Sequence, residues 1–244
     1  MKKRPLAVLT AIALFGALAV SSRATAETSQ ATSAHVTTIP FEDSTLIIEV
    51  NSTDGDAGLQ FFFDGEPWRS AEVSGPDGQK VLDVDAGGDL KDFGLTELFS
   101  ESNEPPFDEL PLEEFLARFP AGEYTVSGKT IEGERLAGTA TLTHDIPAGP
   151  VVVSPDEDAV VPPDDVVVVW EPVTEPAGID IVGYQVIVER EDPLRVFQVD
   201  LPPAATSVTV PPEFLQANTE YGVEVLAIEA SGNQTITETG FQTN

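Results

Sequence analysis

Apolar and polar side chains alternate in short runs along most of this chain, and a period of two is the signature of half-buried β-strands. In the N-terminal half, Leu46–Val50, Leu59–Phe63, Ala71–Ser74, Lys80–Val84, Tyr124–Thr130 and Arg135–Thr143 read as strands. The Asp- and Gly-rich segment 51–58 joins the first two. Gly75-Pro-Asp-Gly78 supplies a hairpin-like turn, and Glu132-Gly133 another. One helix interrupts the pattern. Leu112, Phe115, Leu116 and Phe119 fall at i, i+3, i+4 and i+7 and form a single apolar face. Pro111 suits the first helical position and Pro120 stops the run, so a helix over Leu112–Arg118 is expected to plug one end of a β-sandwich.

The C-terminal half is more regular. Val166, Val168 and Trp170 share a face, as do Tyr184, Val186 and Val188, and again Tyr221, Val223, Val225 and Ala227. The opposite faces carry Gln185, Ile187 and Glu189, and Gly222, Glu224, Leu226 and Ile228. Each large side chain turned inward contributes about 1.5–3 kcal/mol on burial. The strand pattern breaks at Asp145-Ile-Pro-Ala-Gly-Pro150, a Pro-rich junction that favours an extended, semi-rigid link. The expected fold class is therefore all-β: two β-sandwiches in tandem, residues 39–147 with a helical insert and residues 150–244.

Trp170-Glu-Pro172, Gly183-Tyr184-Gln-Val-Ile-Val188, Thr206-Ser-Val-Thr-Val210, Leu215, Asn218-Thr-Glu-Tyr221-Gly-Val-Glu-Val225 and Phe241-Gln-Thr243 occur in the order in which a fibronectin type III domain carries its signature positions. The C-terminal half thus resembles that family over about 95 residues. The resemblance implies a seven-stranded sandwich serving as spacer or binding module, with Trp170, Tyr184, Leu215 and Tyr221 as structural residues and Tyr221 in the tyrosine corner. Ala217-Asn218 stands where the family usually has Pro-Gly, and no Arg-Gly-Asp is present. The N-terminal half reads as an Ig-like or related sandwich. Its segments Asn51–Trp68 and Phe119–Tyr124 resemble parts of uncharacterised exported bacterial proteins, a likeness that attaches no activity.

Lys2-Lys3-Arg4, an uncharged run from Leu6 to Val20 and Ala24-Thr25-Ala26 form a secretory signal pattern, with cleavage expected after Ala26. The apolar run falls short of a bilayer core of roughly 30 Å, and no later stretch is long and apolar enough to span one. Residues 27–38 read as a flexible leader. The protein is thus expected to be exported, to the periplasm or the extracellular medium. Of 12 Lys and Arg residues, four lie within residues 1–26, which hold none of the 42 Asp and Glu; their removal takes the net charge from −30 to −34. That balance argues against nucleic acid and anionic lipid as partners. With no Cys and only His35 and His144, disulfides, thiolate metal sites and His-rich zinc sites are excluded.

Four features bear on chemistry. Asp54-Gly-Asp56, and Asp83-Val-Asp85 with Asp89, could offer carboxylates to calcium, which takes 6–8 oxygens, although the spacing is not that of an EF-hand. Turn formation explains the same pairs, because Gly supplies positive φ and Asp bonds its own backbone. Glu101, Glu104, Asp108, Glu109, Glu113 and Glu114 could supply paired carboxylates to a hydrolase, or form a solvated edge that favours a helix N-terminus. Phe62 and Trp68, if exposed, could stack on a sugar or anchor a partner; buried, they are core. His144 suits an interdomain hydrogen bond.

The expected function is a non-catalytic binding or spacer module meeting protein or polysaccharide at the cell envelope or outside, without a cofactor. Its contact candidates are the loops 51–58, 85–110 and 189–195. The alternatives are a carboxylate-dependent hydrolase with an accessory domain and a calcium-dependent adhesion module. Asn51-Ser-Thr53 and Asn233-Gln-Thr235 match the glycosylation sequon, incidental after a bacterial-type export signal.

Overall fold

The computed structural model describes residues 38–244; the secretory signal and most of the leader lie outside the described residues. The chain is all-β. In the N-terminal half, β1 (Thr38–Pro40), β2 (Asp43–Asn51), β3 (Asp56–Ser74) and β4 (Lys80–Asp85) come first. Then follow α1 (Leu90–Phe93), β5 (Leu95–Glu101), α2 (Leu112–Arg118), β6 (Gly122–Thr130) and β7 (Arg135–Leu142). The helix over 112–118 stands where the apolar spacing places it, and Phe115 is its buried residue. The short helix α1 and the strand β5 occupy the 85–110 segment, which the sequence reading treats as a loop. Runs 59–63 and 71–74 belong to one long strand, β3, whose register shifts where Gly65-Glu-Pro67 interrupts the ladder. Its first part pairs with β2 and β5, its second with β4 and β6. Leu46, Ile48, Leu59, Phe63, Trp68, Val73, Tyr124, Val126, Leu136 and Leu142 fill the space between these layers, and Leu112, Leu116 and Phe119 of the helical segment close it.

The C-terminal half holds β8 (Val152–Ser154), β9 (Ala159–Val161), β10 (Val167–Trp170), β11 (Ile181–Glu191), β12 (Leu194–Leu201), β13 (Ser207–Thr209), β14 (Glu220–Glu229) and β15 (Gln234–Thr243). One layer has the order β12-β11-β14-β15 and the other β13-β10-β8. Trp170, Tyr184, Val186, Val188, Leu215, Tyr221, Val223, Val225 and Phe241 pack between them. The indole of Trp170 lies 5.4 Å from the Tyr184 ring, and Tyr221 stacks on Phe241 at 5.2 Å. The Tyr221 hydroxyl accepts the Gln216 N–H at 2.8 Å, the bond of a tyrosine corner. Asn218 adopts φ 53°, a left-handed position that a short amide side chain tolerates where glycine would otherwise stand. This half has a fibronectin type III-like fold.

The two halves are joined by more than the linker. The edge of β15 pairs in parallel with β2, with Gln234 opposite Glu49, Thr235 opposite Val50 and Ile236 opposite Asn51. Farther along, the same edge pairs with β9. The strands of the N-terminal half and the β12-β11-β14-β15 layer therefore merge into a continuous sheet, and the exposed backbone groups of the β15 edge are satisfied along both stretches.

Candidate functional site

The site that emerges lies on this seam. Asn233, fully buried in the turn before β15, is a hub of hydrogen bonds. Its Oδ1 accepts the Ile48 N–H at 2.8 Å, and its Nδ2 donates to the Thr143 carbonyl (3.2 Å), Thr143 Oγ1 (3.0 Å) and the Asp145 carbonyl (3.1 Å). Thr235 Oγ1 donates to the Pro147 carbonyl at 2.6 Å. Ser52 donates its N–H (2.9 Å) and its hydroxyl (2.7 Å) to the Ile236 carbonyl, and Thr53 Oγ1 accepts the Glu238 N–H at 2.8 Å. Gln234 donates its side-chain amide to Glu49. Asn51 Nδ2 donates to Glu238 at 2.6 Å. Both sequon asparagines are thus buried amides bonded across the two halves.

Around these amides the acidic side chains converge. Carboxylate oxygens of Glu49, Glu101 and Glu104 lie within 4.8 Å of one another, and Glu49 is buried on the floor of the group. Burial, with repulsion from Glu101 and Glu104, pushes the Glu49 carboxyl up to about 8 despite bonds from Gln234 and Gln60. Glu104 is raised to about 7 by burial and by Glu101, Asp56, Asp54 and Glu238. Burial comes first for Asp56 and Glu238 as well, with neighbouring carboxylates adding to the rise. The chain of repulsion continues into β14, where burial, Glu189 and Glu238 raise Glu224 to about 8. Such a group either shares protons or takes a cation, and its oxygens are of the type that hard divalent ions prefer. Asp56 Oδ1 is buried there without a hydrogen-bond partner.

The residues singled out from the sequence fall differently. Asp54 and Asp56 border the carboxylate group, whereas Asp83, Asp85 and Asp89 are exposed and stand apart from it, and Asp83 pairs with Lys80 at 2.8 Å. Glu101 and Glu104 join Glu49; Asp108, Glu109, Glu113 and Glu114 are exposed elsewhere. Trp68 is completely buried in the first core and is withdrawn as a surface contact, because its strand turns the indole inward beyond the Gly65–Pro67 break. Phe62 is half-buried between Thr45 and Phe99 in the sheet. His144 Nε2 lies 2.8 Å from the Phe119 carbonyl, within its own half; the hydrogen-bonding role between the halves belongs to Asn233 instead. The loop at 51–58 is engaged in the seam through Asn51, Ser52 and Thr53, while Ser52, Thr53 and Asp54 stay exposed. Sequence reasoning missed Glu49, Asn233 and Gln234. Their one signal was a polar residue set beside an apolar strand run, which reads equally well as an outward position.

No family model matches the chain, and no curated protein sequence matches it. Among solved structures, the chain is similar to the fn3 domain of human collagen alpha-1(XX) at 30% identity, covering 40% of this chain and 82% of that one with a TM-score of 0.30. It is similar to a two-domain fibronectin type III segment of chicken tenascin at 12% identity, over 83% of this chain and 98% of that one, TM-score 0.30. A tetra-tandem repeat from the extending region of a large adhesion protein aligns at 15% identity over 81% of this chain and 48% of that one, TM-score 0.28.

Proposed function

We propose that this protein is an exported, non-catalytic binding and spacer module that meets protein or polysaccharide at the cell envelope or outside it. One observation carries the binding part. Two of the three segments named from the sequence present large apolar side chains to water: Leu90 and the three-quarters exposed Phe93 on α1, and Leu194 at the β11–β12 hairpin, with Val196 just beyond that segment. A partner that covers these side chains gains the burial of their apolar area. The test is surface-immobilised protein against a panel of envelope polysaccharides and envelope proteins. Saturable binding that Phe93→Ser or Leu194→Ser weakens at least tenfold supports the reading. Turnover of glycans or peptides by the same preparation, lost in Glu113→Gln or Glu114→Gln, would replace it with the hydrolase.

A second reading, calcium-dependent adhesion, is favoured by the Glu49–Glu101–Glu104 group. A melting temperature that rises with millimolar calcium and falls with excess chelator supports it, since a ligand selective for the folded state stabilises that state. An unchanged melting temperature removes it.

A further inference from the structure

The strand pairing that joins the halves has a mechanical geometry. β2 runs into the seam from the N-terminal side and β15 runs out of it toward the C-terminus, and the two overlap in parallel only at Glu49–Asn51 and Gln234–Ile236. The rest of β2 extends backward from the overlap and the rest of β15 extends forward. Tension applied between residue 42 and residue 244 thus pulls the two strands past one another along their own axes. Cross-strand hydrogen bonds lie across that direction and share the load; they do not open one after another. Glu49, Val50, Asn51, Gln234, Thr235 and Ile236 are all buried, so water cannot replace the bonds one at a time. Ser52 and Thr53 add fasteners at one end of the overlap, and Asn233 with Ile48 at the other.

We infer that the β2–β15 overlap is a load-bearing lap joint that carries tension directly from the first strands to the last and keeps it off both cores. The inference deepens the spacer part of the proposed function and is independent of the binding part: a protein that binds nothing in the panel would still possess the joint.

Single-molecule pulling tests it on the whole chain. Because the chain has no native Cys, handles can be placed at Glu42→Cys and Asn244→Cys, both exposed positions. The expected record is a first rupture releasing only the few nanometres of linker, followed by two large events of about 100 residues each, at roughly 3.3–3.6 Å per residue. Ser52→Ala/Thr53→Ala removes side-chain bonds made across the seam from an exposed turn. At constant load this variant should lose the first rupture about tenfold faster or more, with both large events unchanged. Joining the paired positions through Val50→Cys/Thr235→Cys, which neighbouring strands place within disulfide reach, should abolish both large events until reductant restores them. Absence of a short first rupture, an unaltered first rupture in Ser52→Ala/Thr53→Ala, or large events that persist in the oxidised double-cysteine protein would each overturn the inference.

Discussion

The C-terminal core and the seam between the halves are both dry, yet they are built from opposite materials. The core is Trp170, Tyr184, Tyr221, Phe241 and a layer of valines, in which burial itself is the favourable term. The seam buries Glu49, Asn51, Asn233, Gln234 and Thr235, for which burial is unfavourable until every polar atom is paired. An apolar core tolerates small shifts in register and stays cohesive. A polar seam is satisfied in one arrangement and costly in any other, so it fixes how the halves meet. The core supplies cohesion; the seam supplies geometry.

Four substitutions or conditions probe that contrast, the largest expected effect first. Trp170→Ala removes the centre of the second core and should cost about 3–5 kcal/mol, read as loss of a cooperative unfolding transition for that half by calorimetry. A cost below about 1 kcal/mol would mean that the core does not depend on the indole. Asn233→Ala leaves the Ile48 N–H buried without its acceptor and should cost about 1–3 kcal/mol. The signature should be a larger radius of gyration by solution scattering with strand content unchanged, since it is the seam that opens. Tyr221→Phe deletes one hydrogen bond while keeping the stacked ring and should cost about 0.5–1.5 kcal/mol without altering scattering. Asn218→Gly should change stability by less than about 1 kcal/mol, because both residues accept φ 53°.

The acidic seam should also respond to pH in a direction opposite to most proteins. Glu224 rises from 4.5 to about 8 on folding, through burial first and then Glu189 and Glu238. The folded state therefore holds a proton that the unfolded state has already released between those two values. The associated stability is fully present below pH 4.5 and is lost as pH rises toward 8. Melting temperature should fall from pH 5 to pH 8.5, and Glu224→Gln should flatten that fall while matching the parent near pH 5. A parent whose melting temperature climbs over this interval would contradict the assignment.

How much of this was legible beforehand follows from the distance over which each feature is encoded. The two cores were readable because alternation is local: Val166, Val168 and Trp170 announce a buried face within five residues. The helix at 112–118 was readable for the same reason. The seam was not, since it pairs residues about 185 positions apart, and nothing near Gln234 names Glu49 as its partner. The strand pattern even pointed the wrong way. Glu224 and Leu226 sit on the face that alternation assigns outward, yet both are buried, and Leu226 clusters there with Ile187 of β11 and Ile236 of β15. For Trp68 the sequence left surface contact and core packing open, and the buried indole decides for the core.

The shared edge of β15 has a practical consequence for anyone who would study either half alone. Cutting the chain within 145–150 would strip Glu49–Asn51 of β2 of their β15 neighbour and leave Gln234–Ile236 with bare amides and carbonyls. Each fragment would then carry a template for pairing with further copies of itself. Self-association seen in such pieces would report the severed boundary and not a habit of the intact molecule.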